Sequence, residues 1–120
     1  MTTAAHTKLL QNLYRAFNAR DFETILSSMH PMVNWPNSME GGRIHGHSEL
    51  REYWTRQWKL LDPRVDPVSV TEASADRTIV DVHQIVKDVD GNILLDQMVR
   101  HIYGIQDGLI ERMDIEPFNS

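Results

Sequence analysis

Apolar residues at Leu9, Leu10, Leu13, Tyr14, Ala16 and Phe17 recur at three- and four-residue intervals, which predicts a first helix from Ala4 to Ala19. Phe22, Ile25, Leu26 and Met29 form the buried stripe of a short second helix, capped by Asp21 and stopped by Pro31. Met32 to Trp35 reads as a short strand ending at Pro36, and a polar, glycine-bearing loop runs from Asn37 to Gly46. Ser48 is placed to cap a third helix, with Glu49 in its first turn and Leu50, Tyr53, Trp54, Trp58 and Leu61 as its stripe. After Asp62-Pro63 the period falls to two. Val68 and Val70 alternate with Ser69 and Thr71, Asp76 marks a turn, and Thr78 to Val86 is alternating and β-branched. Asp90-Gly91 and Asp107-Gly108 are hairpin signals on either side of a long strand, Leu94 to Ile105, with Leu109 to Ile115 closing the meander.

Helices followed by an antiparallel meander make an α+β pattern. A lone meander leaves an apolar face in water. The pattern therefore predicts a cone-like fold, three N-terminal helices packed on a curved antiparallel sheet and enclosing a pocket. One domain, residues 4–117, holds all of these elements.

Composition narrows the partners. The chain has 120 residues, 41% hydrophobic and 24% charged, as expected of one globular domain with one core. Its net charge of −5, with scattered Lys and Arg, argues against a nucleic-acid partner and against an anionic membrane surface. No apolar run approaches the roughly 20 residues of a membrane span. The absence of cysteine removes disulfides and thiolate chemistry. Residues 1–8 lack the charged start and apolar stretch of a secretory signal, so a cytoplasmic location is expected.

Five short segments carry a resemblance: Ala19-Arg20-Asp21-Phe22, Val33-Asn34-Trp35-Pro36, Ile44-His45-Gly46, Tyr53-Trp54, and Asp107-Gly108-Leu109-Ile110. In this order the chain, from Leu9 to Pro117, resembles the nuclear transport factor 2-like superfamily, which includes ketosteroid isomerase, SnoaL-like polyketide cyclases and limonene epoxide hydrolase. The resemblance implies the cone and its pocket, but the fold hosts enzymes and binding proteins alike. Ketosteroid isomerase is the informative comparison, with an Asp base and an oxyanion hole of Tyr and protonated Asp. The position matching its base is Trp35, and indole takes no proton from a carbon acid, so steroid isomerisation is not expected. Its oxyanion tyrosine falls at Leu13, with Tyr14 one step, about 100°, around the helix. Its protonated acid matches His101.

The resemblance thus makes His101 the first candidate for chemistry. Alternation puts Leu95, Gln97, Val99, His101, Tyr103 and Ile105 on one face of their strand, a set suited to a pocket wall. An imidazole there is a candidate acid or base, and a satisfied core histidine is the bland alternative. Asp114 matches a region where superfamily enzymes hold an acid, although alternation from an inward Met113 sends it outside and gives Glu111 the inward parity. Tyr14 completes the catalytic set as a polariser. Trp35, Trp54, Phe17, Met113, Tyr103, Val99 and Asn34 are the candidate ligand-binding residues. The aromatic and methionine stock points to a flat, apolar, fairly large ligand.

Val80, Val82, Gln84 and Val86 make the more apolar face of their strand, so Asp81 and His83 are expected on the outer sheet surface, the homodimer face in this superfamily. His45, His47 and His30 invite a metal reading, but a flexible glycine between two histidines fixes no geometry, so no metal and no cofactor is expected. The functional expectation is a SnoaL-like pocket protein. It is either a cofactor-free isomerase, cyclase or hydrolase of a small hydrophobic carbonyl or epoxide compound, with His101 as acid or base, or a non-catalytic ligand-binding or dimerisation module.

Overall fold

The computed structural model describes residues 3–38, 40–74 and 76–118. Met39, inside the predicted loop, lies outside the described residues. Helix α1 (Thr3–Asn18) ends where Arg20 adopts a left-handed φ of 60°. Asp21 then caps α2 (Phe22–Ser27), its carboxylate accepting the Thr24 N–H at 3.3 Å. Met29 is not the last residue of the α2 stripe. It opens strand β1 (Met29–Pro36), and Ser28 ends the helix, its carbonyl accepting the Ile110 N–H at 2.9 Å. Pro31 is tolerated within the strand because pairing with the neighbouring strand is interrupted between Met29 and Asn34, where its missing N–H costs no ladder bond.

Part of the predicted loop is a strand. β2 (Arg43–His45) pairs antiparallel with β1, Trp35 opposite Ile44. Helix α3 (Gly46–Leu60) begins two residues before Ser48, at Gly46 with its φ of +84°. No Ser48 hydroxyl caps it; His45 is the N-cap residue, and its N–H donates to the Glu49 side-chain carboxylate at 3.0 Å.

α3 runs directly into β3 (Leu61–Ser74), so Leu61 belongs to a strand rather than to the α3 stripe, and Asp62-Pro63 already lies in that strand. Two prolines lie in β3 because it is the edge of the sheet, and Pro67 sits at a register shift. β4 (Arg77–Asp88), β5 (Ile93–Gln106) and β6 (Leu109–Pro117) follow as the meander. The turn between the last two holds both Asp107 and Gly108 at positive φ, 53° and 78°, the conformation a tight hairpin needs.

The sheet order is β2-β1-β6-β5-β4-β3. All pairs are antiparallel except β1 with β6, which run parallel, so the curved sheet is mixed rather than wholly antiparallel. Two strands, β1 and β2, precede the third helix, where one was predicted. The fold is nonetheless α+β, with helices packed on one face of a curved, unclosed sheet. Leu10, Ile25, Val33, Leu50, Val80, Val82 and Ile110 are fully buried between the layers. Val80 and Val82 face this core, whereas Asp81 and His83 lie on the other side, paired with Arg100 at 2.9 Å and Asp96 at 2.7 Å. Asn18 ties the end of α1 to β3: its amide donates to the Val65 carbonyl (2.8 Å) and accepts the Val65 N–H (3.0 Å). Each such bond contributes on the order of 1 kcal/mol. Among the described residues no helix is long and apolar enough to cross a membrane.

Candidate functional site

β5 carries two polar aromatic side chains inward because positions 101 and 103 share one face of the strand. His101 stands between Val80 of β4 and Ile115 of β6, and Tyr103 lies opposite Thr78 and Met113. From the helical layer, α1 lowers Tyr14 onto both. Tyr14 Oη lies 2.8 Å from His101 Nδ1, and the Tyr103 hydroxyl is hydrogen-bonded to Tyr14 Oη, also at 2.8 Å. The Tyr14 ring stacks on the imidazole at 15° and meets Tyr103 edge-on. All three residues are buried.

Burial sets the protonation of this group. It lowers His101 from the ordinary imidazole value of 6.5 to about 4, so the ring is neutral near pH 7. It also raises both phenols well above 10, Tyr14 further through its contact with Tyr103, so both hydroxyls keep their protons.

The trio opens into a cavity with about 90 Å³ of room, between α1, α3 and the inner face of the sheet. Leu13, Phe17, Trp35, Trp54 and Met113 supply its apolar wall. Gln57, Gln84, Ser38 and Tyr53 supply polar groups away from the trio. Among the described residues no Asp, Glu, Lys or Arg lines it. Trp54 is wedged between other rings, edge-on to Trp35 and Phe17 and stacked on Trp58 at 6°. The guanidinium of Arg20 closes that stack, 4.7 Å above Trp58, and donates to Asp62 and to the Pro63 carbonyl. This volume is below the about 150 Å³ of a dry cavity that holds one benzene ring, so the enclosed room suits a small molecule, or one ring seated in part, rather than a fairly large one.

The structure brings His101 and Tyr14 together and puts Tyr103, Trp35, Trp54, Phe17 and Met113 on the same cavity wall. Both Leu13 and Tyr14 reach the cavity, so the one-step offset on α1 does not exclude the tyrosine. Three other candidates lie elsewhere. Asp114 stands opposite Ile102 on the outer face, held by Arg112 at 2.8 Å and Arg43 at 3.0 Å. Hydrogen bonding from Arg112, supported by the Arg43 charge, keeps its carboxyl below the usual range. Asn34 accepts from Arg43 Nε at 2.6 Å on that outer side, and Val99 is buried beyond the cavity wall. Glu111, despite its inward parity, is exposed, because a bulge opposite Gly104 and Ile105 places both Ile110 and Met113 inward.

Gln57 and Gln84 also line the wall, although neither is among the sequence-predicted site residues. For Gln84 the inward alternation of its strand was the available signal. Two of the three histidines of the metal reading bond the backbone instead: His47 Nε2 donates to the Met29 carbonyl, and His30 Nδ1 accepts the Met32 N–H, each at 3.0 Å. Among the described residues no group of three or more His, Cys, Asp or Glu side chains is positioned to hold a metal.

This geometry has relatives. A search among curated proteins found none that matches. Among solved structures the chain is similar to TerC co-crystallised with polyporic acid, at 26% identity and a TM-score of 0.83, over 95% of this chain and 92% of that one. It is similar in fold to an NTF2-like protein of unknown function from Burkholderia pseudomallei, at 21% identity and a TM-score of 0.83, over 95% and 91%. A Mycobacterium tuberculosis protein in complex with estradiol-17β-hemisuccinate shares the fold at 18% identity and a TM-score of 0.77, over 91% and 90%. The model of the SnoaL-like domain matches residues 10–113, and the chain belongs to that family.

Proposed function

We propose that this chain is a cofactor-free enzyme that binds a small, uncharged, hydrophobic carbonyl or epoxide compound in the cavity and prepares it for isomerisation, cyclisation or hydrolysis. The observation that carries this reading is the 2.8 Å bond between Tyr14 and His101 inside a cavity without a charged side chain. A pocket that only bound a ligand by shape has no need of buried, mutually bonded titratable groups, whose desolvation costs stability. His101 is the group that exchanges a hydrogen bond or proton with the substrate oxygen, in the manner of a neutral histidine electrophile. Trp35 and Trp54 hold the apolar part by edge contacts. The binding of polyporic acid by TerC and of a steroid ester by the mycobacterial protein supports ring-bearing ligands for the fold.

Charge exclusion gives the test. Acetophenone and benzoate have nearly the same shape, but benzoate must surrender its hydration to enter a wall with no cation. Acetophenone is expected to change the fluorescence of the cavity tryptophans in a saturable way, and benzoate to leave it unchanged. Benzoate binding as tightly as acetophenone would sink the proposal, and consumption of styrene oxide, followed by chromatography, separates enzyme from simple binder.

We also propose a homodimer through the outer sheet face. Ile79 pairs with Ile102 and His83 with Met98 there, so apolar side chains lie among the Asp81–Arg100 and His83–Asp96 ion pairs. Sedimentation velocity should give twice the chain mass, and a glutamate at the half-buried Met98, Met98→Glu, should return the monomer. A monomeric wild type at micromolar concentration removes this part.

A further inference from the structure

Tyr14 Oη is shared: it lies 2.8 Å from the Tyr103 hydroxyl and 2.8 Å from His101 Nδ1. Two protonated phenols and one neutral imidazole make these two bonds, and the chain can be ordered in two directions. In the first, Tyr103 donates to Tyr14, Tyr14 donates to Nδ1, and the imidazole proton sits on Nε2. In the second, Nδ1–H donates to Tyr14, Tyr14 donates to Tyr103, and the Tyr103 proton has no other acceptor among the described residues. Tyr103 is 1% exposed, so the second order strands a buried donor.

The first order strands nothing inside the protein. No described residue bonds His101 Nε2, and that atom is not among the buried side-chain atoms left without a partner. With the ring in the cavity wall, Nε2 opens onto the cavity. We propose that Tyr14, backed by Tyr103, is a positioning residue that holds His101 in its Nε2–H tautomer, so that the imidazole meets a ligand as a hydrogen-bond donor and not as a base. The ligand atom at this end of the cavity is then an acceptor, a carbonyl or ether oxygen. Donation from Tyr103 also polarises the Tyr14 hydroxyl and strengthens its bond to Nδ1. The use of the Nε2 proton rests on the pocket reading above, whereas the tautomer is a property of the unliganded protein.

Long-range proton–nitrogen correlation spectra of the full chain, labelled with ¹⁵N in histidine, read the tautomer near neutral pH. His101→Gln identifies the His101 signals by their loss. The expected spectrum has a pyridine-type Nδ1 and a pyrrole-type Nε2, with this tautomer in excess by about tenfold or more. Tyr14→Phe should move the two nitrogen shifts toward each other, and Tyr103→Phe should move them less in the same direction. A pyrrole-type Nδ1 in the wild type overturns the proposal, as does a Tyr14→Phe spectrum identical to it. Should either variant fail to fold, the wild-type spectrum still decides. Loss of acetophenone binding with the Nε2–H tautomer present would count against the pocket reading and leave this one standing.

Discussion

As the pH falls from 6.5 to 4, the wild-type protein should lose roughly 3 kcal/mol of stability that His101→Gln does not lose. The unfolded chain binds a proton on this imidazole near its ordinary value of 6.5, whereas in the folded state burial defers binding to about 4. Between the two the unfolded state holds more protons, so stability is fully present above 6.5 and falls with pH until about 4. The carboxyls of Asp81, Asp88 and Asp114 are all held below 3.8, so their contributions are lost at lower pH and do not mask this window. Glutamine keeps a polar group beside Tyr14 but does not titrate. Urea midpoints of both proteins at pH 7.5 and 4.5 measure the difference. Equal losses in the two proteins would mean that His101 is not held neutral by burial.

The second large effect is on ligand chemistry. His101→Leu preserves most of the side-chain volume and removes the donor that faces the ligand oxygen. Loss of one such donor at a developing oxyanion typically costs 10²–10³-fold in turnover, and that is the fall expected for any substrate the protein converts. The same change leaves the Tyr14 hydroxyl without its acceptor, which costs about 1–3 kcal/mol of stability. His101→Ala would mix the two effects, because at 6% exposure alanine also leaves a hole in the wall. Leucine and glutamine are therefore the informative replacements.

Much of this arrangement was legible in the residues. Period-two alternation placed His101 and Tyr103 on one inner face, and the apolar Val80 and Val82 placed Asp81 outside. Helical spacing brought Tyr14 and Phe17 to the same stripe. What the residues did not disclose depends on pairing across the chain. β2 is three residues long and exists because Ile44 finds Trp35, not because of any local preference. β3 carries two prolines, which argue for a turn unless the strand is known to be an edge. The bulge that exposes Glu111 is likewise a property of the β5–β6 register. The link between Tyr103 and Tyr14 spans 89 positions and has no signature in either segment.

The central claim is that His101 donates a hydrogen bond to the oxygen of a neutral ligand in the cavity. The carbonyl stretch of ¹³C-labelled acetophenone reports this bond, since a hydrogen bond weakens the C=O bond and lowers its frequency. In difference infrared spectra, the ligand bound to wild-type protein is expected to absorb at lower frequency than the ligand bound to His101→Leu. The frequency in the variant should approach that of acetophenone in an apolar solvent. One frequency for both proteins would contradict the claim.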